Sequence, residues 1–187
     1  MEVIDDFLPF PEFKSLQNVI MGQDFPWFFS EFVDFDTDDG LDDFQFTHLF
    51  YTTEFGHSNC IHHLNPILKK LNIISDPVGD DYSPKYLENI NDRLLRIKAN
   101  LLPRCGETKR HSFHKDLFPH FDIPNRLTAI YYVNTNNGWT EFENGDKVPS
   151  VENRILIFDS SLPHTGTRAT NASSRVVINF NYVSSWG

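Results

Sequence analysis

The chain has 187 residues, a formal net charge of −10, and 14% aromatic residues, eighteen of them phenylalanine. That length suits one compact domain, or one core with an elaborated N-terminal region, and the aromatic surface excludes a disordered chain. The acidic balance repels a phosphate backbone and ranks nucleic acid low as a partner, and no apolar run approaches the roughly 20 residues of a membrane span.

The opening "MEVIDDFLPF" has neither a basic start nor a long apolar stretch, so the cytoplasm is the expected location. In that compartment Cys60 and Cys105 are expected to stay unpaired, and the sequon Asn171-Ala172-Ser173 carries no meaning. In "PEFKSLQNVIMG", Phe13, Leu16, Val19 and Ile20 recur at helical spacing, with Pro11 suited to a first turn and Gly22 to a stop. The aromatic stretch "FPWFFSEF", with Trp27, Phe28 and Phe29, reads as core. "DFDTDDGLDDFQ" begins like a calcium loop at Asp34, Asp36 and Asp38. Its glycine, Gly40, falls one place late and Gln45 replaces the closing Glu, so a solvated acidic loop is the better reading. "HSNCIHH" gathers His57, Cys60, His62 and His63 at a spacing that fits no common structural zinc site. A second helix is expected in "NPILKKLN", with Asn65 as its cap, and a short third one from Ser83 in "SPKYLENI".

From about residue 94 the hydrophobic period changes to two. Leu95, Ile97, Ala99 and Leu101 alternate with Arg96, Lys98 and Asn100, the pattern of a strand with one buried face. "LTAIYYVN", "WTEF", "RILIFD" and "RVVINFNYV" follow as strand candidates, separated by turn-forming "NTNNG", "ENGD", "VEN" and "TNASS". The expected fold is mainly β with N-terminal helices: a double-stranded β-helix, or cupin-like jelly roll. The expected organisation is a single domain over 1–187, with a helix-rich region 1–93 packed on the sheet and a jelly-roll core 94–187.

"RHSFHKDLFPHFDIPN", residues 110–125, contains His-x-Asp twice, as His114/Asp116 and His120/Asp122. On an extended strand that spacing projects both side chains from one face. Pro119 and Pro124 remove backbone donors around the second pair, whereas "SFHKDL" alternates without proline, so the first pair is favoured and the second remains the alternative. A carboxylate and two imidazoles on one face of an octahedron leave open positions, the arrangement of non-haem Fe(II) oxygenases. His164 in "SLPHTGT" can supply the second imidazole. A 2-oxoglutarate cosubstrate would fill two open positions and leave one for O2, and its far carboxylate needs a buried cation, for which the guanidinium of Arg175 is suited.

The ordered set His-x-Asp, "YYVN", "NGWTEF", "RILIFD", "PHTGT" and "RVVINFNY" resembles the Fe(II)/2-oxoglutarate-dependent oxygenases, in their prolyl-4-hydroxylase-like branch, over roughly residues 94–183. The upstream "RIKANLLPR" and "PWFF" are similar to small members encoded by bacteriophages, which would put the protein in the host cytoplasm. The resemblance implies a dioxygenase that hydroxylates a protein residue or a small molecule, with succinate and CO2 as coproducts. It implies that His114, Asp116 and His164 ligate iron, that Arg175 binds 2-oxoglutarate, and that Tyr132 assists that carboxylate. Strand alternation favours Tyr132 over Tyr131, because Thr128, Ile130 and Tyr132 share a face. The chain departs from the family at Val177, where Ser or Thr is usual, and in a longer loop after His114. Thr140 and Phe142 read as core. The rival readings are a metal-containing jelly-roll isomerase or epimerase, which would not require Arg175, and a non-enzymatic ligand-binding module.

Overall fold

The computed structural model describes residues 1–33, 44–74, 93–116 and 124–184. The calcium-like loop at 34–40, the helix expected from Ser83, and the pair His120/Asp122 therefore lie outside the described residues. The elements in chain order are β1 (Glu2–Ile4), α1 (Phe10–Ile20), β2 (Phe28–Ser30), β3 (Gln45–Thr52), β4 (Gly56–His57), a 3-10 turn (Ile61–Leu64) and α2 (Asn65–Lys70). They continue as β5 (Leu94–Pro103), β6 (Arg126–Tyr132), β7 (Trp139–Phe142), β8 (Lys147–Pro149), β9 (Arg154–Asp159), β10 (His164–Gly166) and β11 (Ser174–Val183).

The strands form two antiparallel sheets. The larger runs β1-β9-β6-β11-β5-β3-β2 with β4 added to β3, and the smaller runs β10-β7-β8. Isolated bridges from Arg110 to Thr167 and from His114 to His164 extend the smaller sheet beyond β10. This is the jelly roll that the spacing of the C-terminal strands leads one to expect. The N-terminal half contributes helices and also β1 to β4, strands not anticipated from the sequence, all of which join the larger sheet. β3 escapes a period-two reading because a register shift between Leu49 and Tyr51 breaks its alternation.

Each face of the larger sheet has its own core. On the outer face Ile97, Ala99, Tyr131, Val133, Ile178 and Phe180 pack with Phe13, Leu16 and Ile20 of α1 and with Leu64, Ile67 and Leu68. On the inner face Ile130, Tyr132, Leu156, Phe158 and Val177 meet Phe142 and Val148 of the smaller sheet. The helix α1 carries proline in its first turn, as expected, and stops where a Cβ on Gly22 would lie 2.7 Å from the Asn18 carbonyl oxygen. Asn65 does not cap α2. The helix continues directly from the 3-10 turn, so Leu64 holds the cap position and no side chain serves it. Leu94 rather than Leu95 joins the outer core, because Asn181 pairs with Arg96 and Tyr182 with Leu94, leaving Leu95 as the extra residue of a bulge. Of the aromatic stretch Phe25 is buried in the core and Trp27 packs on it, whereas Phe28 and Phe29 are exposed on the edge strand β2.

The polar face of β5 does not look into open solvent. Register across β6, β11 and β5 lays out inward-facing rows: Thr128, Asn181 and Arg96; Ile130, Asn179 and Lys98; Tyr132, Val177 and Asn100. Of these, Arg96, Lys98, Asn100, Ile130, Val177 and Asn179 line a cavity of about 380 Å³ between the sheets.

Candidate active site

His114 and His164 are directly opposed. Each donates its backbone N–H to the other's carbonyl, at 3.0 and 2.9 Å, so they form a hydrogen-bonded antiparallel pair with both side chains on one face. Their ring centroids are 4.6 Å apart. Asp116, two residues beyond His114, points to the same face, and its Oδ2 lies 3.7 Å from His164 Nε2. One candidate ligand atom from each of the three residues lies within 4.8 Å of the others.

The surroundings orient these groups. His164 is 3% exposed, with Phe158 against its ring at 4.7 Å, and its Nδ1–H donates to the Leu162 carbonyl at 3.1 Å. That tautomer leaves the Nε2 lone pair facing Asp116. Asp116 Oδ2 accepts hydrogen bonds from Thr128 Oγ1 at 3.0 Å and from Asn181 Nδ2 at 3.1 Å. With its proton committed to Asp116, Thr128 accepts from Ser160 Oγ at 3.0 Å. Two imidazoles and an anchored carboxylate form a donor set suited to a first-row divalent ion with positions left open.

Arg175 lies in the same cavity, 3% exposed. Its Nε donates to Ser150 Oγ at 2.8 Å and its Nη2 to Thr140 Oγ1 at 3.2 Å, and among the described residues no carboxylate pairs with it. Burial holds its pKa below the ordinary arginine value, opposed by its attraction to Tyr132. Tyr132 does not line the cavity. Its hydroxyl donates to Thr140 Oγ1 at 2.8 Å, and its ring lies 5.7 Å from the guanidinium carbon. Thr140 accepts from both neighbours, so its own O–H is left to donate, and its side chain lines the cavity. A buried guanidinium with neutral partners beside a free hydroxyl proton is a receptor for an anion. Two glycines admit it: a Cβ on Gly138 would lie 2.8 Å from Arg175 Cδ, and one on Gly166 3.2 Å from its Nη1.

The fold thus brings His114, Asp116, His164 and Arg175 into one cavity, with Tyr132 behind Thr140. Thr140, expected in the core, belongs to the wall. Thr128 and Asn181, which orient Asp116, and Arg96 and Lys98 were not singled out from the sequence. The signal available for them was the shared strand face of Thr128 and Tyr132 and the polar face of β5. His57, Cys60, His62 and His63 belong to no candidate metal cluster among the described residues, and Cys60 and Cys105 are unpaired.

No protein-family model and no curated protein sequence matches the chain. Solved structures do. A viral collagen prolyl hydroxylase from Paramecium Bursaria Chlorella virus-1 aligns with 98% of this chain and 95% of its own at 14% identity, TM-score 0.54. A prolyl hydroxylase from Trichoplax adhaerens, bound to a hypoxia inducible factor peptide fragment, aligns over 97% and 82% at 14% identity, TM-score 0.57. The non-haem alpha-ketoglutarate-dependent epimerase SnoN of nogalamycin biosynthesis aligns over 97% and 77% at 13% identity, TM-score 0.60. The chain has the double-stranded β-helix fold of the prolyl-4-hydroxylase-like 2-oxoglutarate oxygenases.

Proposed function

We propose that the chain is an Fe(II)- and 2-oxoglutarate-dependent dioxygenase that hydroxylates a protein residue or a small molecule and releases succinate and CO2. One observation carries the reading: a His-Asp-His set with ligand atoms within 4.8 Å shares a cavity with a buried guanidinium whose hydrogen-bond partners are all neutral. When bound, ferrous iron with 2-oxoglutarate supplies the oxidising chemistry with O2.

The chain's own residues orient and enclose. His114, Asp116 and His164 would hold the ion, with Asp116 kept in place by Thr128 and Asn181. Arg175 and the Thr140 hydroxyl would hold the distal carboxylate of 2-oxoglutarate, and Tyr132 would act through Thr140. His164 and Gly166, the latter facing Arg175, are two residues and about 7 Å apart along β10, a span over which a five-carbon dicarboxylate can lie. The inner apolar cluster of Phe142, Phe158 and Val177 limits water around His164 and Arg175. No side chain has to act as a general acid or base. A peptide substrate enters the reading because the Trichoplax relative binds one.

The test is succinate release by purified protein given Fe(II), 2-oxoglutarate and O2, with Mn(II) binding followed in parallel. His114→Ala is expected to lose both signals and His120→Ala to keep them; the reverse result overturns the ligand assignment. A second reading is epimerisation, favoured by the alpha-ketoglutarate-dependent epimerase that shares the fold. Isotopically labelled O2 separates the two, since a hydroxylase puts one labelled atom into its product and an epimerase puts in none.

A further inference from the structure

Asn179 is a polar residue set among members of the inner apolar cluster. Its flanking residues Ile178 and Phe180 are fully buried in the outer core, so strand alternation turns the Asn179 side chain into the cavity. There it is the next inward-facing position after Val177 on β11 and lies opposite Ile130 on β6, both part of that cluster. Neither end of its carboxamide takes part in a hydrogen bond among the described residues, and its Oδ1 is buried. Burying an amide oxygen without a donor costs more than a leucine or valine at the same place would, so packing does not account for the residue.

A second amide stands beside it. Asn100 of β5 pairs in register with Val177, which makes it the diagonal cross-strand neighbour of Asn179, and its side chain also lines the cavity with no hydrogen bond among the described residues. The two amides lie between the ends of the site: on β11, Asn181, which bonds Asp116, is two residues from Asn179 on one side, and Arg175 is four residues away on the other. 2-Oxoglutarate cannot serve the buried oxygen, because at neutral pH its two carboxylates and its ketone accept hydrogen bonds and donate none. The missing N–H or O–H has to come from a second molecule in the cavity. No hydrogen bond holds the Asn179 amide plane, so it can turn toward that donor without breaking one.

We propose that Asn179, with Asn100 beside it, determines specificity for a primary substrate that carries an uncharged N–H or O–H donor, an amide or a hydroxyl, close to the carbon that reacts. The proposal deepens the dioxygenase reading and rests on it for the place of the cosubstrate. Asn179 Oδ1 accepts from that donor, and the N–H groups of Asn179 and Asn100 are left to donate to an oxygen of the same molecule. A site of this kind rejects an analogue that lacks the donor, since the buried oxygen is then left unpaired.

The experiment uses the full chain with Mn(II) and saturating 2-oxoglutarate, without oxygen. Two matched pairs are the probes: N-methylbutanamide against N,N-dimethylbutanamide, and 2-butanol against its methyl ether, the second member of each having a methyl group in place of the donor hydrogen. Mn(II)-enhanced relaxation of the probe protons reads binding near the metal, and saturation-transfer NMR on metal-free protein reads binding without it. In at least one pair the donor-bearing member is expected to bind about fivefold or more tightly, and the pair that discriminates names the group. Asn179→Leu is expected to abolish the preference and Asn179→Asp, which keeps an acceptor in the same place, to retain it. Asn179→Leu should also keep 2-oxoglutarate affinity and raise the melting temperature by about 2–4 °C, because it removes an unpaired buried amide. The proposal is overturned if neither pair discriminates, if the preference survives in Asn179→Leu, or if that variant melts lower or loses 2-oxoglutarate affinity, which would make the amide a packing group or part of the cosubstrate bed. Should Mn(II) and 2-oxoglutarate fail to bind while saturation transfer still shows an Asn179-dependent preference, the dioxygenase reading falls and the donor subsite stands.

Discussion

Gly138 and Gly166 are small because the Arg175 side chain passes directly against them. At Gly138 a Cβ would also come within 2.9 Å of Asn136 Oδ1, so neither neighbour can give way freely. Gly138→Ala is therefore expected to displace the guanidinium and weaken 2-oxoglutarate binding about tenfold, or about 1.4 kcal/mol, while Mn(II) affinity stays as it was. Calorimetric titration of each ligand checks both halves. Asn181 shows the same dependence at the proposed metal site, where its amide and Thr128 both hold Asp116 Oδ2. Asn181→Ala should lower Mn(II) affinity about 10- to 100-fold, the usual cost of removing a group that orients a ligand, as read from the Mn(II) paramagnetic signal. His114 and Asp116 were legible because a two-residue spacing fixes a shared strand face. Thr140 was not, because alternation tells inward from outward but cannot distinguish a packed interior from a cavity wall.

β11 shows how one strand serves both cores. Val176, Ile178, Phe180 and Tyr182 face the helices, and Arg175, Val177, Asn179 and Asn181 face the cavity. Phe180 is fully buried, so Phe180→Ala should cost about 3–5 kcal/mol of stability in denaturant unfolding, with loss of both surfaces if the strand shifts. β7 carries a different load. Its Glu141 accepts from the Trp139 indole N–H at 2.9 Å and from Arg110 at 3.2 Å, and Lys147 lies 3.5 Å away. The Trp139 hydrogen bond, with Lys147 and Arg110, holds the Glu141 pKa below its ordinary value against the opposing effect of burial. A lowered folded-state pKa stabilises above the unfolded value near ~4.3, and that contribution disappears as pH falls through the lower one. Glu141→Gln is thus expected to lower the melting temperature at neutral pH by about 2–4 °C, for a cost of about 1 kcal/mol. Melting curves of the two proteins should converge in acid. The strands of the C-terminal half were legible from period and turn chemistry, whereas β3 was hidden by its bulge and β1 and β2 by their brevity.

The helices matter to the cavity through the sheet they support. Leu68 of α2 and Ile97 of β5 share the outer core, and the opposite face of β5 presents Arg96 and Lys98 to the cavity. Leu68→Ala should cost about 2–5 kcal/mol, and a drop in the melting temperature measures it. No helix among the described residues is long and apolar enough to cross a membrane. Hydrophobic period, turn residues and the His-x-Asp spacing depend on local backbone geometry, so the linear order of residues already carried the strand-rich fold and the first two candidate ligands. Which face of β5 meets water, which partner opposes His114, and what Arg175 lacks depend on contacts between segments remote in the chain. Those contacts arise only when the sheets close on each other, and the cavity between them exists only in the folded molecule.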